Sequence, residues 1–184
     1  MGTVKSLLLG MCFVLGACTS QTSTVQTTEK GTQWEWQNGT IVVKTPERPA
    51  GQKSVLGLTT PKLEAVRVGF VGLGMRGPGA VERFTYIPGT QVVALCDYEE
   101  ARADKCQELL KKASMPKAAV YSGDKGYEEL CKRDDIDLVY IAADWLHHFP
   151  VAKCALENGK NVAIEVPSAM NLQGWWGLIK FSEY

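Results

Sequence analysis

The sequence predicts an α/β protein built around a doubly wound parallel sheet, and two observations carry that prediction. From residue 66 onward, short apolar segments rich in β-branched residues alternate with longer segments of helical character, as in chains of repeated strand-helix-strand units. The turn Gly-Leu-Gly-Met-Arg-Gly directly follows the first apolar segment. With 184 residues, 45% hydrophobic and 22% charged, the chain is long enough for one such domain with appendages.

Residues 1–18 predict an export signal. Lys5 precedes the apolar run of residues 7–15, which is too short to cross a bilayer. The sequence Leu-Gly-Ala-Cys that ends at Cys18 resembles a bacterial lipobox, in which the cysteine is lipidated and becomes the mature N-terminus. An ordinary cleaved signal is the alternative. We expect an exported bacterial lipoprotein, periplasmic or at the cell surface, held to a membrane through its lipid anchor only.

Residues 19–62 predict a linker and an N-terminal arm. The Ser/Thr/Gln-rich tract 19–30 has the composition of a flexible tether. Residues 34–43 place alternating aromatic and β-branched residues around Asn38-Gly39, a pattern that indicates a small β-hairpin or an extended arm. Prolines keep the next stretch irregular up to the first core strand; they are Pro46, Pro49 and Pro61.

The glycine turn predicts a dinucleotide site in a domain spanning residues 63–172. Gly72 permits the tight turn after the strand, Gly74 lets the backbone approach a pyrophosphate, and Gly77 allows close packing of helix on strand. Asp97 ends the second strand, where a carboxylate accepts hydrogen bonds from a ribose 2'-hydroxyl and repels a 2'-phosphate. NAD is therefore favoured over NADP. A purely structural glycine turn is the alternative.

The rest of the chain continues the alternation. Helices are predicted over residues 98–113, 127–133 and 150–157, and strands near 119–121, 137–142 and 161–165. The helix at 150–157 should end at Asn158-Gly159. Ligands of such sheets bind outside the carboxyl ends of the strands. The glycine turn, Asp97, Asp144-Trp145 and Glu165-Val166 should therefore line one crevice.

Composition excludes several other functions. The net charge is zero and no Lys/Arg-rich block occurs, so nothing indicates a nucleic-acid partner. The acidic pairs Glu99-Glu100 and Asp134-Asp135 are interpreted as solvated surface charges.

Four cysteines lie within apolar patterns without a CxxC spacing; they are Cys96, Cys106, Cys131 and Cys154. This pattern favours buried thiols over a metal site and leaves a disulfide as the alternative.

A set of motifs within residues 47–172 resembles a known family. The segments are 66–84, 87–90, 96–97, 133–142, 144–148 and 159–167. They are similar to the superfamily of glucose-fructose oxidoreductase and inositol dehydrogenase and, within it, to glycoside hydrolase family 109, which contains NAD-dependent α-N-acetylgalactosaminidases. The motif Glu165-Val166-Pro167 discriminates between the two groups, since sugar dehydrogenases usually carry lysine in place of Val166. An aliphatic side chain cannot transfer a proton.

The resemblance implies a Rossmann-type domain that holds NAD. Met75 and Arg76 would touch the cofactor and Asp97 the adenosine ribose. The nicotinamide side would be lined by Trp145, Leu146, His147, His148, Glu165 and Val166. On its placement beyond a central strand and the match to the family, His148 is a better candidate than His147. Each of Arg76, Trp145, His148 and Glu165 also has a packing or surface interpretation.

The resemblance also implies a reaction, and it implies that this chain lacks one domain of the family. An amino-sugar glycoconjugate would be oxidised at C3, lose its aglycone by elimination, add water and be reduced again. Alternatives are an NAD-dependent sugar or polyol oxidoreductase and a non-catalytic nucleotide-binding fragment. Because the family's C-terminal α+β domain with its catalytic residues is absent, we expect an N-terminal fragment that is inactive alone; a homo-oligomer is a further expectation. Residues 173–184 are interpreted as a divergent tail, since Gly174 and Gly177 disfavour a helix by about 1 kcal/mol each.

Overall fold

The protein is described by a computed structural model over residues 26–27, 33–43, 50–55 and 57–183. The chain divides into two compact units, residues 1–44 and residues 45–184. The predicted export signal, the predicted lipidation site Cys18 and most of the predicted tether lie outside the described residues. Within the described part, no helix combines the length and apolar character that crossing a membrane requires.

The first unit contains a three-stranded antiparallel sheet. Its strands are β1 (Gln26–Thr27), β2 (Gln33–Gln37) and β3 (Thr40–Val43). Asn38 and Gly39 join β2 to β3 with φ angles of 51° and 79°, the left-handed conformation that a two-residue type I′ turn requires. The predicted hairpin is confirmed. The short strand β1 lies within the tract predicted to be a tether.

The second unit is a five-stranded parallel sheet with helices on both faces. The strands are β4 (Val66–Val71), β5 (Thr90–Asp97), β6 (Ala119–Ser122), β7 (Leu138–Ile141) and β8 (Asn161–Ile164), in the order β6-β5-β4-β7-β8. The helices are α1 (Gly77–Thr85), α2 (Glu100–Lys112), α3 (Gly126–Cys131), α4 (Trp145–Glu157) and α5 (Leu172–Ser182). The predicted doubly wound parallel sheet is confirmed, and its strand order reverses beside β4.

Two apolar clusters form the core, one on each face of the sheet. Val68 and Phe70 of β4 pack with α1 and α2 on one face. Val139 and Ile141 of β7 pack with α3 and α4 on the other. Side chains two residues apart share a face of a strand, so burial on both faces explains why these strands are almost continuously apolar.

Helix α4 begins five residues before its predicted start. The carboxylate of Asp144 accepts a hydrogen bond from the backbone N–H of Leu146 at 2.9 Å and caps a helix that begins at Trp145. The prediction that Pro150 begins this helix is wrong, because a good N-cap residue outweighs the one helical hydrogen bond that a proline lacks. The predicted end at Asn158-Gly159 is confirmed, and Gly159 has a φ of 70°.

Helix α5 forms where the sequence indicates a divergent tail. Its two glycines face neighbouring side chains: a Cβ on Gly177 would lie 2.8 Å from Cε2 of Phe149, and one on Gly174 2.8 Å from Cβ of Ala169. The small residues let α5 approach α4 closely. The helix therefore depends on tertiary packing that outweighs the low helix propensity of glycine.

Two of the acidic residues interpreted as solvated are ion-paired. Asp135 accepts two hydrogen bonds from the guanidinium of Arg133, at 2.5 and 2.7 Å, and Glu99 accepts one from Arg102 at 2.9 Å. Both carboxylates are nevertheless about half exposed, as expected for surface charges. Arg133 lies two residues before Asp135, and Arg102 lies three residues after Glu99. Counting charges does not reveal such local pairs.

The four described cysteines are free thiols. Cys96, Cys106 and Cys131 are buried and Cys154 is half-buried, which confirms the buried-thiol interpretation for the first three. Burial, together with the charge of Asp97, raises the pKa of Cys96 to about 12 and that of Cys106 to about 11. The described residues contain no cluster of His, Cys, Asp or Glu that could hold a metal ion.

Candidate dinucleotide site

A cleft of about 1010 Å³ opens at the carboxyl ends of the parallel strands. The predicted cofactor residues that line it are Gly72, Gly74, Met75, Arg76, Asp97, Trp145, Leu146, His147, His148, Glu165 and Val166. Gly77 lies behind the glycine turn as the first residue of α1. The structure thus brings all twelve residues to one end of the sheet, because parallel strands share the direction in which they end.

The glycine turn is held tightly against its surroundings. Gly72 has a φ of 90°, and a Cβ there would lie 2.3 Å from the backbone nitrogen of Ala143. A Cβ on Gly77 would lie 2.1 Å from the carbonyl oxygen of Gly72. No side chain caps the N-terminus of α1, and its first turn has no acidic residue. Backbone N–H groups and the helix dipole therefore favour an anion at this end of α1.

Asp97 is buried at the end of β5, with 6% of its surface exposed. One carboxylate oxygen accepts a hydrogen bond from the backbone N–H of Leu73 at 2.6 Å. The other accepts one from the N–H of Glu99 at 3.0 Å and lies 3.4 Å from Nη1 of Arg102. Asp97 therefore joins the glycine turn to the start of α2, in addition to facing the cleft. The sequence predicted only its part in holding a ribose.

His147 lies between two carboxylates at the mouth of the cleft. Its Nδ1 is 2.5 Å from Oδ2 of Asp144, and its Nε2 is 3.5 Å from Oδ1 of Asp124. Burial raises the pKa of Asp144, but the hydrogen bonds from His147 and from the N–H of Leu146 outweigh it, so the pKa lies below its usual value. His147 thereby connects the start of α4 to the loop after β6.

His148 is buried beneath the cleft, with 1% of its surface exposed. Its Nδ1 is 2.8 Å from the carbonyl oxygen of Pro167. A carbonyl oxygen only accepts hydrogen bonds, so Nδ1 carries a proton, and in the neutral ring Nε2 is an acceptor. Nε2 is buried and has no hydrogen-bond partner among the described residues. Buried polar atoms normally have partners, so this nitrogen is available to a donor on a bound ligand.

Glu165 and Val166 form the other wall of the cleft. The hydroxyl of Tyr140 donates a hydrogen bond to Oε1 of Glu165 at 2.7 Å, and Arg83 also interacts with this tyrosine. Burial and the neighbouring Glu165 carboxylate raise the pKa of Tyr140. Val166 is 80% exposed. An apolar side chain that is this exposed in a cleft leaves surface for a ligand or partner to cover.

Five further polar side chains that the sequence did not single out line the cleft. They are Arg83, Tyr98, Arg102, Asp124 and Tyr127. Tyr98 directly follows β5 and Asp124 closely follows β6, so the rule that ligands bind beyond strand ends could have identified both. Arg83 and Arg102 reach the cleft from the last turn of α1 and the start of α2, where no strand-end signal exists.

The described residues fit NAD. The uncapped start of α1 beside Gly74 suits a pyrophosphate, Asp97 supplies a carboxylate near the position of the adenosine ribose, and His148 offers a buried acceptor. The fold and this site together define the class of protein: a Rossmann-fold domain that binds a dinucleotide.

Comparison with known proteins gives the family. The model of an oxidoreductase family with an NAD-binding Rossmann fold, called GFO_IDH_MocA, matches residues 66–182. The chain therefore belongs to this family, and its cofactor is NAD.

The predicted similarity to glycoside hydrolase family 109 is also confirmed. The chain is 77% identical over 184 residues to glycosyl hydrolase family 109 protein 4 of Phocaeicola vulgatus, a match that covers 100% of the chain and 36% of that protein. The chain thus spans little more than a third of the length of this relative.

Solved oxidoreductases share the fold. Myo-inositol dehydrogenase from Lactobacillus casei, in complex with NAD(H) and myo-inositol, superposes with a TM-score of 0.56 at 26% identity over 64% of this chain and 33% of that one. Biliverdin reductase from Synechocystis, in complex with biliverdin and NADP+, superposes with a TM-score of 0.54 at 27% identity over 64% and 34%.

Proposed function

We propose that this chain is the NAD-holding domain of a glycosidase that acts on α-N-acetylgalactosaminides. The observation that carries the proposal is Val166, an exposed aliphatic residue beside Glu165 in the cleft. Sugar dehydrogenases of the resembling superfamily usually have a lysine there, and valine cannot move a proton for them. The 77% identity to a protein named as a glycosyl hydrolase supports the same reading.

Different residues of the chain would hold different parts of the cofactor. The backbone of the glycine turn and the Arg76 guanidinium would hold the pyrophosphate, and Asp97 would accept hydrogen bonds from the adenosine ribose. Trp145, Leu146 and Val166 would supply apolar surface at the nicotinamide end and exclude water. NAD bound there would reversibly accept a hydride from the sugar, so that the net reaction is hydrolysis without net oxidation.

Glu165, held in place by Tyr140, would orient the sugar in the cleft. Their hydrogen bond of 2.7 Å fixes one carboxylate oxygen and leaves the other oxygen of Glu165 to accept a bond from a substrate or ribose hydroxyl. His148 would accept a further bond at Nε2. The groups that remove and return the sugar protons are expected in the part of the relatives that this chain does not span.

A domain exchange tests the proposal. The 184 residues replace the matching stretch of the Phocaeicola vulgatus relative, and the chimaera is incubated with a chromogenic α-N-acetylgalactosaminide beside the unaltered relative. We expect release of the chromophore without net formation of NADH, and loss of that activity when Gly77→Ala is introduced. Accumulation of NADH with an oxidised sugar and no chromophore would support a sugar oxidoreductase instead and contradict the glycosidase proposal.

We also propose that the protein is an exported lipoprotein modified at Cys18. The support is the sequence of residues 1–18, with its basic start, short apolar run and terminal cysteine. Expressed in a bacterium with a radiolabelled fatty acid, the chain should carry label and sediment with membranes, and Cys18→Ser should do neither. Equal labelling of the two proteins would contradict the assignment.

A further inference from the structure

Arg102 is held between two carboxylates at the end of β5. Its Nη2 donates a hydrogen bond to Oε1 of Glu99 at 2.9 Å, and its Nη1 lies 3.4 Å from Oδ1 of Asp97. A Cβ on Gly74 would lie 3.5 Å from the same Nη1. The guanidinium therefore lies beside the glycine turn and next to the residue that faces the adenosine ribose.

We propose that Glu99 and Arg102 determine, together with Asp97, the preference of this domain for NAD over NADP. The two cofactors differ only at the ribose 2' position, which carries a hydroxyl in NAD and a phosphate in NADP. A hydroxyl donates to a carboxylate, whereas a phosphate needs donors such as a free guanidinium. Here the only described guanidinium beside Asp97 is engaged by two acids.

The net charge of these three side chains also favours NAD over NADP. Asp97 and Glu99 carry two negative charges against the single positive charge of Arg102, so the group as a whole is negative and repels a 2'-phosphate. Removing the charge of Glu99 makes the group neutral and releases one side of the guanidinium. Because Glu99 is more than half exposed and Arg102 partly exposed, their ion pair contributes little to stability, at most about 1 kcal/mol.

The inference rests on the NAD site of the family and not on the proposed glycosidase activity. The fold itself accepts either dinucleotide, since the inositol dehydrogenase was solved with NAD(H) and the biliverdin reductase with NADP+. The preference must therefore come from side chains around the ribose. Asp97 alone was the expected determinant; the structure adds a second carboxylate and the arginine that both engage.

Calorimetric titration of the full chain with NAD and with NADP measures the preference as the Kd for NADP divided by the Kd for NAD. We expect the unaltered chain to favour NAD and Glu99→Gln to lower the ratio about tenfold, as expected for removing one nearby charge. Glu100→Gln is the matched control: it removes the same charge one residue further along and leaves both contacts of Arg102 intact. It should change the ratio less than twofold.

The double variant Glu99→Gln/Arg102→Met separates release of the arginine from simple loss of charge. If Glu99 acts through Arg102, the gain in NADP affinity seen in Glu99→Gln disappears when Arg102 is absent. An undiminished gain in the Arg102→Met background would overturn the proposal, as would equal effects of Glu99→Gln and Glu100→Gln. Thermal unfolding midpoints of all variants establish that each is folded when titrated, and Arg102→Gln replaces Arg102→Met if the latter is not.

Discussion

The carboxylate of Asp97 accepts a hydrogen bond of 2.6 Å from the backbone N–H of Leu73 and thereby joins the end of β5 to the glycine turn. The same buried carboxylate accepts the N–H of Glu99. One residue thus shapes the turn that would receive the pyrophosphate and lines the cleft where the ribose would lie. Cofactor affinity and stability should therefore change together at this position.

Asp97→Ala should weaken NAD binding at least tenfold and destabilise the chain by about 1–3 kcal/mol, because the buried N–H of Leu73 and the part-buried N–H of Glu99 lose their acceptor. Calorimetry with NAD and urea unfolding measure the two effects. Asp104→Asn, an exposed position on α2, is the control and should change neither. A variant that loses NAD affinity at full stability would show that Asp97 does not hold the turn.

Gly77→Ala and Gly79→Ala are a matched pair in the first turn of α1. A Cβ on Gly77 would lie 2.1 Å from the oxygen of Gly72, whereas one on Gly79 meets only the end of the Arg83 side chain at 3.6 Å. We expect Gly77→Ala to abolish NAD binding and to lower stability. Gly79→Ala should keep binding and gain up to about 1 kcal/mol from helix propensity. Equal NAD affinity in the two variants would refute the close-packing argument.

Asp137 and Arg67 join β4 to β7 at the end of the sheet away from the cleft, and their side chains form two hydrogen bonds of 2.6 and 2.9 Å. The hydrogen bond from Arg67 lowers the pKa of Asp137. Its contribution to stability is therefore complete above the unfolded pKa of about 3.9 and is lost as the pH falls through the lower folded value.

Asp137→Asn should accordingly lower the urea midpoint at neutral pH and make little difference at the acid end. Urea unfolding between about pH 2.5 and pH 7 checks this, since the window brackets the ordinary carboxylate pKa. A difference between the two proteins that stays constant over the whole range would exclude the ion pair as its cause.

Gly177→Ala should destabilise the contact between α5 and α4. The new Cβ would meet Cε2 of Phe149 at 2.8 Å, and overpacking of this kind costs about 1–3 kcal/mol, more than the helix propensity that alanine gains. Introducing Phe149→Leu as well removes the facing ring atoms. We expect the double variant to be more stable than the sum of the single changes predicts, measured by urea unfolding; strict additivity would contradict the contact.

The buried thiols should be unreactive in the native protein. With a pKa of about 12 for Cys96 and about 11 for Cys106, almost no thiolate is present at pH 8. Alkylation with iodoacetamide, followed by peptide mass mapping, should label both far more slowly in buffer than in urea. The half-buried Cys154 should react faster than either. Rapid native labelling of Cys96 would show that the end of β5 opens.

The parallel sheet and the cleft followed from the sequence because they depend on local patterns: apolar runs, the glycine turn and the rule that ligands bind beyond strand ends. The start of α4 was misplaced because the proline was given more weight than the cap at Asp144. Helix α5 was missed because its glycines are explained only by the distant Phe149. The pairing of Glu99 with Arg102 was missed because exposed charges carry no directional pattern in a sequence.

Binding of NAD to the 184-residue chain tests the central claim most directly. Calorimetric titration should show saturable binding of one NAD per chain, weaker binding of NADP, loss of binding in Gly77→Ala and retention in Gly79→Ala. A chain that is folded by circular dichroism and yet gives no saturable heat with NAD would contradict the assignment of this cleft as a dinucleotide site.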